Sequence, residues 1–117
     1  MRVFVYFNLH KKLFSVKALD GARKGLVVAH VNEITLQDVT FRVSAAGRAR
    51  VLRERKKNVH AGVVGQWSGD LDTQVRDTSD IAVTYNPYKY STFVYQDGEY
   101  PIFTAGQAYL TNRRIYV

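Results

Sequence analysis

The 117-residue chain has no cysteine, two prolines, one methionine and one tryptophan, and only ten acidic side chains against seventeen lysines and arginines. Without cysteine there are no disulfides, thiolate zinc sites, iron–sulfur ligands or cysteine nucleophiles, which accords with a reducing, cytoplasmic setting. Long apolar runs are missing too. In the first half the uncharged stretch Gly25 to Asn32 falls far short of the ~20 residues that span a bilayer. The opening MRVFVYFNL is cut short by Lys11 and Lys12 and is followed by no small-residue cleavage site, so it reads as a strand rather than a leader. Catalytic signatures are absent: there is no GxSxG, no P-loop, no GxGxxG, and no pair of carboxylates on a shared element. His10, His30 and His60 lack the spacing and acidic companions of a metal site, so no metal or cofactor is expected. A nuclease built from His10, Lys12 and His60 remains a loose constellation of common residues.

What is present is a folded composition, 46% hydrophobic, with its charge concentrated in one place. Between residues 42 and 57 stand Arg42, Arg48, Arg50, Arg53, Arg55, Lys56 and Lys57 against Glu54 alone, a net +6. The other 101 residues carry ten basic and nine acidic groups. The excess charge is therefore a local feature of a single domain, residues 1–117. A second bias is acidic: Asp70, Asp72, Asp77 and Asp80 in a Ser/Gly/Thr-rich stretch over 68–80, which reads as a solvated loop.

Alternation of apolar and polar residues predicts strands over 2–8 and 13–17, joined as a hairpin, and over 26–31. Glu33 to Val43 also alternates, but its phase slips once near Gln37-Asp38, where a bulge or tight turn would sit. These pieces suggest an antiparallel meander. Ser44 is suited to cap a helix over about 45–59, with Ala45, Ala49, Leu52 and Val59 as its docking stripe. Gly47 inside that helix costs about 1 kcal/mol relative to Ala, which suggests either the close approach of a backbone or ligand or, equally, a frayed first turn. Beyond a short apolar segment from Ala61 to Trp67, strand chemistry resumes at Ile81 to Tyr85 and Asn86-Pro87 makes a turn. The aromatic stretch Tyr88 to Gln96 leads through Asp97-Gly98 to an edge strand holding Pro101, and Ala108 to Leu110 and Arg114 to Val117 close the chain. The fold class expected is α+β, with antiparallel strands in two meanders around one basic helix.

Arginine's planar fork suits bidentate capture of phosphate, and tyrosine offers a face for stacking a base. The expected ligand site therefore comprises Arg48, Arg50, Arg53, Arg55 and Lys57 for phosphate, with Asn58, His60, Asn86, Tyr88 and Tyr90 for base or ribose. The structural alternative for the helix is a solvated face, and for Phe93 and Tyr95 aromatic packing in the core.

MRVFVYFNLHKKLFSVKAL at the start, VVAH at Val27 to His30, and GRARVLRERKKNVHAGVVG at Gly47 to Gly65 resemble a small family of tailed-bacteriophage and prophage proteins. NPY at Asn86 to Tyr88 is a weaker echo. In plan the chain is also similar to the Thoeris anti-defence proteins of phages. That resemblance implies a non-catalytic homo-oligomer in the cytoplasm of the infected bacterium. It would sequester a cyclic ADP-ribose-type or cyclic oligonucleotide immune signal at sites between subunits. Three other functions fit the same residues: a nucleic-acid-binding module using the Arg-rich helix, a protein–protein inhibitor of a host factor, and an enzyme.

Overall fold

The computed structural model describes residues 1–69 and 80–117, so Asp70, Asp72 and Asp77 of the acidic loop lie outside the described residues. Nine strands and one helix follow in chain order: β1 (Arg2–Asn8), β2 (Leu13–Ala18), β3 (Val27–Val31), β4 (Glu33–Val43), α1 (Ala45–Glu54), β5 (Ala61–Gln66), β6 (Ala82–Thr84), β7 (Val94–Tyr95), β8 (Thr104–Thr111) and β9 (Arg114–Tyr116). All nine strands join one antiparallel sheet in the order β3-β2-β1-β5-β4-β8-β9-β6-β7. Among the described residues no helix is long and apolar enough to cross a membrane.

This single sheet overturns the α+β expectation of two meanders around a helix. The fold is nearly all-β, and the helix is an excursion between two neighbouring strands. The expectation failed at β5, whose short Gly-containing sequence looked like a connector. Instead β5 is central, with Val5 opposite Val63 on one side and Phe41 opposite Val63 on the other. It inserts between β1 and β4, so the predicted meander ends after three strands, with β3 at the sheet edge, and β4 pairs with β5 and β8.

The β1–β2 hairpin runs in the register that alternation implies, from Val3 opposite Ala18 to Asn8 opposite Leu13. Val3, Val5, Phe14 and Val16 are thereby directed to one face, where they are buried. The phase slip in β4 is a bulge at Gln37 to Thr40, with Asp38 in the left-handed region at φ 50°. Ile34 and Leu36 before it and Val39 and Phe41 after it all enter the same core, because the inserted residue reverses the alternation. That core also takes Val83, Phe93, Ile102, Ala108 and Leu110 from the other half of the sheet. One face therefore wraps around a shared interior, as a single sheet must when it has no second layer to cover it. Arg113 of the β8–β9 turn reaches across to β1, its guanidinium 4.8 Å from the centre of the Phe7 ring.

The helix is shorter than expected. Ser44 caps it, its Oγ accepting the Gly47 N–H at 3.1 Å. It ends where Arg55 turns into the left-handed region at φ 58° and donates its N–H to Val51 O. Beyond that, residues 55–60 run without regular structure to β5. The Ser44 N–H donates to His60 O at 2.7 Å, so the excursion returns to the sheet beside its point of departure.

Gly62 sits in the middle of this frame. A Cβ there would lie 2.5 Å from Val5 O and 2.7 Å from the Phe4 ring, and the central ladder leaves no direction in which to yield. Gly62→Ala should therefore lower unfolding free energy by about 1–3 kcal/mol, the range for overpacking. Urea melts of the two proteins measure the difference.

Candidate phosphate-binding face

The helix docks on a different face from the predicted stripe. Val51 is its buried residue, whereas Ala45, Ala49 and Val59 are exposed and Leu52 is half-buried. Gly47 lies on the docking side, where an added Cβ would stand 2.5 Å from the His60 Cβ. The mid-helix glycine thus marks the close approach of His60, a side chain rather than a backbone or ligand. Arg48 belongs to the docking side as well. Its Nε donates to Pro87 O at 3.0 Å, tying the helix to the Asn86-Pro87 turn 39 residues away.

His60 has both ring nitrogens engaged. Asn58 O can only accept, so Nδ1 carries the proton and donates across 2.8 Å. In the neutral ring Nε2 is then the acceptor for the Tyr85 hydroxyl at 2.7 Å. Tyr85 in turn packs on Phe93 at 5.2 Å between ring centres, and Phe93 on Phe41 at the same distance, leading directly into the core. Burial raises the Tyr85 pKa above its ordinary value, and the nearby Arg48 charge opposes the rise. Phe93 is a core aromatic, as the packing alternative held, and Tyr95 is half-buried against the same core.

The turn after Tyr85 is set by Asn86. Its Oδ1 accepts the Tyr88 N–H at 2.9 Å and its backbone O accepts from Lys89 and Tyr90. Tyr88 projects from this turn and is 55% exposed, available to a ligand. Tyr90 is occupied differently: its hydroxyl donates to Glu99 Oε1, which also accepts from Lys89 Nζ at 3.3 Å. Hydrogen bonding to Tyr90, reinforced by Lys89, lowers the Glu99 pKa; the Glu99 hydrogen bond raises that of Tyr90, with Lys89 opposing, and hydrogen bonding to Tyr90 and then Glu99 raises that of Lys89.

Of the predicted phosphate residues, Arg50 pairs with Glu54 one turn along the helix. Arg53, Arg55, Lys56 and Lys57 are exposed, and their side chains have no hydrogen-bond or ion-pair partner among the described residues. Asn58 is exposed beside them. The ten nominated residues therefore separate into a wired group, Arg48, His60, Asn86 and Tyr90, and an outward-facing group led by Arg53, Arg55 and Lys57. Sequence patterning also missed an Asn8–Ser15–His30 chain. Ser15 Oγ accepts from Asn8 Nδ2 at 3.2 Å and meets His30 Nδ1 at 2.9 Å across the β2–β3 ladder. Ser15 is completely buried, so this contact joins strands and presents no nucleophile.

Two outcomes test the wiring. Gly47→Ala should destabilise the fold despite the ~1 kcal/mol helical gain of alanine, because His60 must be displaced; the Tyr85 ring signals in proton NMR should shift with it. With Tyr85 raised above 10.0, its contribution to stability is complete below about pH 10 and declines as pH rises through the folded value. Tyr85→Phe should flatten that alkaline decline in melts recorded against pH.

The family described as Mycobacterium phage L5 gene 82 protein matches residues 1–117. The Gene 82 protein of Mycobacterium phage L5 is 39% identical over 118 residues, covering 96% of this chain and 91% of that protein. No solved structure matches the chain. The phage resemblance carried by the opening strands and the basic helix thus extends over the full length, and the chain belongs to the Mycobacterium phage L5 gene 82 protein family.

Proposed function

We propose that this phage protein is a non-catalytic binding protein whose basic face takes a phosphodiester backbone, making it a nucleic-acid-binding module. The observation that carries this is the unpartnered row Arg53, Arg55, Lys56 and Lys57, exposed on a ridge at the end of α1. Four cations held outward, with the intervening Glu54 already paired to Arg50, suit a polymer of phosphates better than an enclosed ligand of two. Condensed counterions released from the polymer would then drive binding. Arg55 supports this role because it occupies a left-handed cap position where glycine is the usual residue. Its positive charge is also favourable at a helix C-terminus.

A second function is favoured by a separate observation: Arg48 is brought against the very turn that presents Tyr88. Capture of a small cyclic nucleotide signal, by sequestration in the infected host's cytoplasm, would use Tyr88 as the stacking face. A homo-oligomer with sites between subunits would supply the enclosure that the exposed ridge lacks.

Salt and substitution separate the two. With four phosphate contacts, affinity for duplex DNA should fall about a hundredfold between 50 and 200 mM salt. Replacing Lys56 or Lys57 by Ala should reduce the slope of log K against log salt by about 1 each. Fluorescence anisotropy with a labelled duplex measures both. Affinity for ADP-ribose or a cyclic dinucleotide that is insensitive to salt and abolished by Tyr88→Ala would instead establish signal capture.

A further inference from the structure

A second concentration of positive charge exists that no stretch of sequence contains. Lys12, from the β1–β2 turn, and Arg113, from the β8–β9 turn, are a hundred positions apart yet line one open pocket of about 290 Å³ with Asn32, Asn112 and Phe7. Every polar side chain in this lining can donate a hydrogen bond, two are cations, and none is a carboxylate. Neither Lys12 nor Arg113 has an ion-pair partner among the described residues. The Arg113 guanidinium rests over the Phe7 ring, which fixes its position while leaving its N–H groups without a hydrogen-bond acceptor among the described residues.

Backbone conformation adds an independent reason. Lys12, Asn112 and Arg113 all lie at positive φ, 56°, 49° and 66°. Asn-Gly is the favoured pair for a two-residue hairpin loop of this kind, since glycine bears no steric cost at the second position. Here that position is Arg113. The β1–β2 turn repeats the pattern: Lys12 is held left-handed as its N–H donates to Asn8 O, while Asn8 Oδ1 accepts from His10 and Lys11. At both places a residue with a strained backbone carries a long cationic side chain, and both side chains line the same pocket. Strain retained at a position where glycine would relieve it points to use of the side chain.

We propose that this pocket is a phosphate-binding site, in which Lys12 and Arg113 neutralise the anion and the Asn32 and Asn112 amides donate to its remaining oxygens. The group it takes is a phosphate ester, supplied either by a nucleoside monophosphate or by a nucleic-acid backbone. This site shares no residue with the basic ridge of α1, so either can fail without the other.

The test is a titration of the ¹⁵N-labelled full-length protein, at constant ionic strength, with inorganic phosphate, adenosine monophosphate and a short single-stranded oligonucleotide, using chloride as control. The Asn32 and Asn112 side-chain amide signals should shift saturably with at least one phosphate-bearing probe and not with chloride. Saturation by the monophosphate identifies a monoester ligand, and saturation by the oligonucleotide alone identifies a phosphodiester backbone. The double variant Lys12→Gly, Arg113→Gly relieves both strained positions, so its Tm should be maintained or raised while the affinity weakens at least about tenfold. Lys12→Gln with Arg113→Gln, which removes charge but keeps side-chain length, should weaken binding similarly. Absence of saturable shifts, or affinity in both double variants equal to that of the unsubstituted protein, overturns the proposal.

Discussion

The bulge at Gln37 to Thr40 is the constraint on which the rest of the molecule depends. An unbroken eleven-residue strand would send Ile34 and Leu36 to one face of the sheet and Val39 and Phe41 to the other. One added residue, with Asp38 left-handed, restores them all to a single side. It also lets β4 serve two partners. Its first half pairs chiefly with β8 and its second half with β5, so the sheet's two halves are hydrogen-bonded through one strand and share one core.

Placing β5 against β4 determines what becomes of the basic segment between them. Because Ser44 and His60 are hydrogen-bonded neighbours, everything from Ala45 to Val59 leaves and re-enters at one point on the sheet. His60 is drawn under Gly47, and its ring then links Asn58 to Tyr85. Arg48, facing the same way, is used by Pro87. The cations beyond the end of the helix have no such neighbours and remain directed to solvent. The fold thus divides a uniform-looking Arg/Lys run into residues that hold the protein together and residues available to a partner.

The candidate site was legible in the sequence as a region. Charge density picked out the ridge, and of the two tyrosines nominated after the Asn86-Pro87 turn, Tyr88 is exposed and Tyr90 half-buried. Assigning roles within the region failed where the helical phase was wrong: the alanines that appeared to dock are exposed, and Arg48, expected to grip phosphate, docks on Pro87 instead. Alanine is small enough to be indifferent to either environment, so it carries little phase information, whereas Val51 and Gly47 report real contacts.

The identity of strands β1 to β4, the β1–β2 register, the β4 bulge and the Ser44 cap were all determined by the sequence itself, because each rests on contacts between residues close in the chain or on side-chain period alone. Strand order was decided only by the tertiary structure. Apolar alternation states which face a strand buries but not which neighbour it takes, and β5 takes partners 60 and 20 positions away with equal propriety. For the same reason the pocket that joins Lys12 to Arg113 is invisible to any tally along the chain: it exists because the curling of the sheet brings two distant turns to one mouth.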